Sequence, residues 1–185
     1  MKATATQAVK AASRLIAGLT GVQAIDQLDL GPIKVKLMEE EEGMGWSVEQ
    51  VNMVEKWYKR FLFLNLQYPS ASIVPNKEID TFWHYHILDT QKYAEDCQNI
   101  FGKFFHHFPY FGMRGEADAS DLKEAFIETK EIFRSEFGES ISQIYEVFPS
   151  VSENSSKCKA GNCRSCKGSV CKNIVSISSR PVFVG

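Results

Sequence analysis

The sequence lacks any uninterrupted apolar run of the roughly 18 residues that a membrane-spanning helix requires, so we expect no membrane association. It also lacks a strong charge of one sign, because 21 Lys and Arg side chains face 23 Asp and Glu side chains. A chain so close to neutral has no general attraction for nucleic acid. Lys10 and Arg14 interrupt the region where a secretory signal would be apolar, so we expect a cytoplasmic protein.

Well-known catalytic signatures are missing as well. The chain contains no H-E-x-x-H, no P-loop, no G-x-G-x-x-G, no G-x-S-x-G and no zinc-deaminase pattern. These absences exclude the enzyme classes that such motifs mark, and they leave open both the reaction and whether the protein is an enzyme.

Histidine and cysteine are scarce and unevenly placed. All four histidines lie in two short stretches, "DTFWHYHILD" with His84 and His86, and "FGKFFHHFPYFG" with His106 and His107. Four of the five cysteines lie in "CKAGNCRSCKGSVC" near the C-terminus. Both clusters contain residue types that bind metal ions.

The sequence predicts an all-α fold, a compact helical bundle followed by a flexible Cys-rich tail. We expect an N-terminal amphipathic helix over 1–24, a helical core domain over 25–149 and a basic tail over 150–185. A change in charge marks the boundary between the core domain and the tail, since residues 151–185 contain six basic side chains and only one acid, Glu153.

Helix signals dominate the core region. Ser47 and Gln50 predict a capping box before a helix that stops at Pro69. A helix is expected from about Asn76, then a break and a further helix capped by Thr90 and ended by Gly102. Two more are predicted, one from Ser120 to Gly138 and a short one before Pro149, and the final residues "IVSISSRPVFVG" form a candidate strand.

The histidine window predicts a metal site. Asp80 and His84 are four residues apart and share a helix face, whereas His86 projects to the opposite, apolar side of a regular helix. Asp80 is either a direct ligand or the group that orients the His84 ring. His84 and His86 could bind one ion only if the helix loosens at this point; otherwise two sites are needed. The later pair, His106 and His107, returns towards this helix, and because adjacent side chains diverge we expect one of the two to face the site. Three or four such donors with an open position would form a metal site of the catalytic type.

The alternative to a metal site is that the histidines serve only in the packing of the core. A single histidine in a helix is usually a partly buried residue with a hydrogen bond, and the surrounding aromatic residues are explained by packing alone. The clustering of all four histidines is what such an account leaves unexplained.

The tail has the spacing C-x4-C-x2-C-x4-C, formed by Cys158, Cys163, Cys166 and Cys171. Four thiolates so close together could bind one zinc ion, form two disulfides or remain free. Cys97 lies in a predicted helix and is interpreted as a core residue.

The segment "EIDTFWHYHILDTQKYAEDCQNIFGKFFHH" resembles the signature of the glycine-rich domain-containing protein family, over roughly residues 25–135. The matching positions are Asp80, Trp83, His84, His86, Leu88, Tyr93, Asp96, Cys97, Gly102 and His107. The resemblance implies no established reaction; plant members are associated with stress responses, and RNA binding has been suggested for some. It favours Asp80, His84, His86 and His107, rather than His106, as the metal ligands.

Together these patterns predict a helical protein that binds a divalent metal ion, zinc or iron first and copper next, at an Asp/His site. The alternative is a non-catalytic interaction or stress-related module whose Cys-rich tail binds zinc or a partner. Its partner would be a protein or a small molecule, and only the basic tail could contact nucleic acid.

Overall fold

The computed structural model describes residues 18–148 and the backbone of residues 170–172. Predictions for residues 1–17, and those for the tail outside 170–172, including Cys158, Cys163 and Cys166, lie outside this part of the chain.

The described chain confirms the predicted all-α fold. The helices are α1 over 18–26, α2 (Gly31–Met38), α3 (Val48–Gln67), α4 (Lys77–Leu88), α5 (Thr90–Phe101), α6 (Glu116–Phe137) and a 3-10 helix (Ile141–Glu146). A four-residue strand β1 (Phe108–Phe111) pairs antiparallel with the three-residue strand β2 (Val170–Lys172), with Phe108 opposite Lys172. None of the helices in the described ranges is both long and apolar enough to cross a membrane.

Helices α3 and α4 form the centre of the core. Helix α3 begins at the predicted capping box, in which the Ser47 hydroxyl accepts from the Gln50 N–H and the Gln50 side chain accepts from the Ser47 N–H. Its buried face meets the buried face of α4 through aromatic side chains at helical spacing, with Tyr58 against Phe82 and Phe61 against Trp83. The residues that precede and follow His84 are therefore fixed by the core.

Some predicted boundaries were wrong. Helix α5 is capped by the Asp89 side chain, which accepts from the Lys92 N–H, rather than by Thr90. Helix α6 begins at Glu116 rather than at Ser120, because the Asp118 carboxylate accepts from the backbone of Gly112 and Arg114 and stabilises an earlier start. The predicted strand "IVSISSRPVFVG" lies outside the described residues.

Candidate metal centre

Helix α4 carries two of the predicted ligands. Asn76 caps the helix, its side-chain oxygen accepting from the Ile79 N–H at 3.0 Å. Asp80 lies in the first turn and His84 one turn later, so both side chains project from the same face. The Asp80 Oδ2 and His84 Nδ1 atoms are 3.6 Å apart.

The third predicted ligand, His107, reaches the same face of α4 from the segment that follows α5. Gly102 ends α5 in the left-handed conformation, with φ of 66°, and reverses the chain. The irregular segment 102–107 then runs back towards α4, where the His107 Nε2 lies 3.5 Å from the Asp80 Oδ1. The rings of His84 and His107 are neighbours, with centroids 4.4 Å apart.

One nitrogen from each of these two histidines and one carboxylate oxygen lie within 4.8 Å of one another. The side chains of Asp80 and His107 are 7% and 11% exposed, and that of His84 is 31% exposed. The group is therefore deep on the Asp80 side and reachable from solvent on the His84 side.

Two atoms of this group have no hydrogen-bond partner among the described residues. They are Asp80 Oδ1 and His107 Nε2, both inaccessible to solvent. They face each other at 3.5 Å without forming a hydrogen bond. Since buried polar atoms in folded proteins are nearly always paired, these two neighbouring atoms are candidates for contact with a bound ion.

The electrostatics suit a cation. Burial lowers the pKa of His84; the Asp80 charge opposes this effect and His107 adds to it. A lowered pKa favours the neutral imidazole at neutral pH, which is the form with a lone pair for a metal ion. Asp80, His84 and His107 could thus hold an ion with two nitrogens and an oxygen, and further positions would remain open.

The structure does not place His86 with the other three predicted ligands. Its Nδ1 lies 2.8 Å from the Tyr58 hydroxyl and its Nε2 lies 2.8 Å from Asp96 Oδ2. Asp96 is in turn bridged by Lys92 at 3.0 Å. The ring projects into the core because His86 is two positions from His84, which puts it on the other side of the regular helix. Both of its nitrogens already have partners, so His86 does not join the predicted set, and the residues that the structure brings together are Asp80, His84 and His107.

The remaining predicted residues take other roles. His106 is exposed, and its ring lies against Phe104 with centroids 4.9 Å apart. Cys97 is buried in the core, as interpreted from the sequence. Of the tail cysteines, only the backbone of Cys171 lies in the described part of the chain, in β2.

The sequence interpretation missed the groups that connect these elements. Tyr58 and Asp96 hold His86, and Tyr93 joins α5 both to Trp83 and to Phe105. Trp83, Tyr93 and Asp96 belong to the quoted motif, but nothing in the spacing of a tyrosine or an aspartate reveals a partner that is distant in the chain.

Comparison with known proteins corrects the proposed resemblance. No curated protein and no solved structure matches the chain significantly. The family model that matches, over residues 22–131, is that of the UCP032817-like family, whose name indicates no function. Nothing in these findings indicates the glycine-rich domain-containing protein family, and the roles implied by that resemblance lose their support. The matched range includes Asp80, His84 and His107 and more than half of the sequence, and the chain belongs to the UCP032817-like family.

Proposed function

We propose that this protein binds one divalent metal ion through Asp80, His84 and His107. The observation that carries the proposal is the pair of buried atoms without a partner, Asp80 Oδ1 and His107 Nε2. A cation between them would receive a lone pair from each and would remove the cost of leaving both unpaired.

Two imidazoles and one carboxylate fit zinc or ferrous iron, and copper also accepts imidazole ligands. A three-residue set leaves coordination positions for water or for a small molecule, which is the arrangement of catalytic rather than structural sites. When bound there, such an ion could activate a water molecule or dioxygen. The exposed edge of His84 gives that position a route from solvent.

The test is a Co²⁺ titration of the full-length chain and two carboxylate variants. Asp80→Asn keeps the side-chain shape and removes the charge of the proposed ligand. Asp96→Asn is the matched control, because Asp96 is also a largely buried carboxylate beside a histidine but lies outside the proposed group. The wild type and Asp96→Asn should bind one equivalent of Co²⁺.

Asp80→Asn should lose at least the roughly 10–100-fold in affinity that changes to outer partners of metal sites produce. Equal binding by wild type and Asp80→Asn would place the ion elsewhere. No binding by any of the three proteins would overturn the proposal and favour the non-catalytic interaction module.

A further inference from the structure

The Tyr93 hydroxyl connects the two pieces of chain that carry the proposed ligands. It accepts a hydrogen bond from the Trp83 indole Nε1 at 2.8 Å and donates one to the Phe105 carbonyl. Trp83 is adjacent to His84 in α4, and Phe105 lies two residues before His107. A single hydroxyl thus joins the helix that holds two ligands to the segment that holds the third.

The hydrogen bonds of the Tyr93 hydroxyl are made in the core. Tyr93 and Cys97 are four residues apart and share one helix face, and both are 2% exposed. Water therefore does not compete for these hydrogen bonds.

Ring contacts link Trp83 both to Phe105 and to the proposed ligand His107. The Trp83 ring stacks on Phe105 with centroids 4.8 Å apart and meets the His107 ring edge-on with centroids 4.7 Å apart. Burial raises the pKa of the Tyr93 hydroxyl, so this group stays protonated and able to donate.

The segment 102–107 needs such a connection because it belongs to neither a helix nor a strand. Ordering an irregular segment costs conformational entropy. If the segment becomes ordered only when the ion binds, this cost lowers the affinity of the site for the ion. Contacts that order the segment in the folded protein leave the ion a preformed site.

We propose that Tyr93 is a positioning residue of the metal centre, whose hydroxyl holds His107 opposite Asp80 before the ion binds. The inference rests on the proposed function, since it names the group that pre-organises that same site. Tyr93 acts through Phe105 and Trp83 and is not itself a ligand.

The test compares Tyr93→Phe with Tyr58→Phe in the full-length chain. Each variant loses one buried hydroxyl and keeps the aromatic ring. Tyr58 is the matched control because its hydroxyl pairs with His86, which lies outside the ligand group. We would measure Co²⁺ affinity by chelator competition, the visible absorption spectrum of the Co²⁺ form, and urea unfolding of the metal-free proteins.

The expected result is a Co²⁺ affinity about 10–100-fold lower in Tyr93→Phe, with an altered spectrum. Tyr58→Phe should lose comparable stability but keep the wild-type affinity and spectrum. Equal losses of affinity in both variants, or a wild-type spectrum and affinity in Tyr93→Phe, would overturn the positioning role. Absence of Co²⁺ binding by the wild type would instead overturn the proposed function, and the positioning role with it.

A second measurement covers the case in which Tyr93→Phe does not fold. Hydrogen exchange of the Phe105 amide in the metal-free wild type should be as slow as in the Co²⁺ form. Fast exchange that slows only after Co²⁺ is added would show that the ion, rather than Tyr93, orders the segment.

Discussion

The histidines of this protein differ in whether their nitrogens are already used. Both nitrogens of His86 have partners, Tyr58 and Asp96, whereas His107 Nε2 faces Asp80 with no hydrogen bond among the described residues. A histidine of the first kind stabilises the core, and one of the second kind is available to an ion. Burial also lowers the pKa of His86, which keeps its ring neutral inside the core.

We predict that His86→Gln destabilises the protein without removing the metal site. The change removes the imidazole that pairs with both Tyr58 and Asp96 in the core, and the loss of such a buried hydrogen bond typically costs about 1–3 kcal/mol in free energy of unfolding. Urea unfolding checks this value, with the exposed His106→Gln as the control that should stay within about 0.5 kcal/mol of wild type. Loss of Co²⁺ binding in His86→Gln at unchanged stability would contradict the assignment.

Sequence spacing was sufficient for part of this site. Asp80 and His84 could be paired because helical periodicity alone puts them on one face, and the same periodicity argued against His86. The choice between His106 and His107 depends on the path of an irregular segment, which no local pattern encodes. The partners of Asp96 and Tyr58 depend on packing between helices for the same reason.

At the scale of elements, the signals that worked are local ones. The Ser47 capping box and the glycines that end α5 and α6 act within a few residues of the helix end, so they could be recognised in the sequence. Strand β1 was missed because its partner residues, 170–172, are about sixty positions away along the chain. The start of α6 was missed because Asp118 stabilises the preceding turn from inside the helix.

Substitution of Gly102 should affect stability through backbone conformation alone. Gly102 has φ of 66°, and an added Cβ would meet no atom within 4 Å. Gly102→Ala should therefore lower the free energy of unfolding by about 1–2 kcal/mol. Gly102→Asn should lose less, because asparagine tolerates the left-handed region better. Equal stability of Gly102→Ala and wild type in urea would show that the turn after α5 does not require this conformation.

The ion pairs between α3 and the turn after α6 should make stability depend on pH. Arg60 and Lys56 each lie 2.7 Å from the Glu139 carboxylate and lower its pKa from 4.5 to about 2. Because the unfolded chain then binds the proton more readily, the stabilisation is present above pH 4.5 and is lost as the pH falls towards about 2. The contribution is modest, since these side chains are partly exposed.

Glu139→Gln should therefore have a lower urea midpoint than wild type at neutral pH, and the two midpoints should converge as the pH falls through this window. Glu124→Gln, at an exposed position of α6, is the control. A constant difference between wild type and Glu139→Gln over the whole window would contradict the assignment.

At the scale of the whole molecule, the proposed metal site lies inside the segment that the family model matches. The UCP032817-like match spans residues 22–131, and all three proposed ligands and Tyr93 fall within it. The Cys-rich tail lies beyond this region. Its metal or disulfide chemistry, the partner of the protein and its cytoplasmic location stay predictions from sequence.

The most direct test of the central claim is the metal content of the full-length protein after anaerobic purification, measured by mass spectrometry. Three forms are compared: wild type, Asp80→Asn with His107→Gln, and a variant with Cys158, Cys163, Cys166 and Cys171 all changed to serine. The account predicts one equivalent of the same metal in the wild type and in the cysteine variant, and none in the Asp80/His107 variant. Metal lost with the cysteines and retained without Asp80 and His107 would contradict it and assign the ion to the tail.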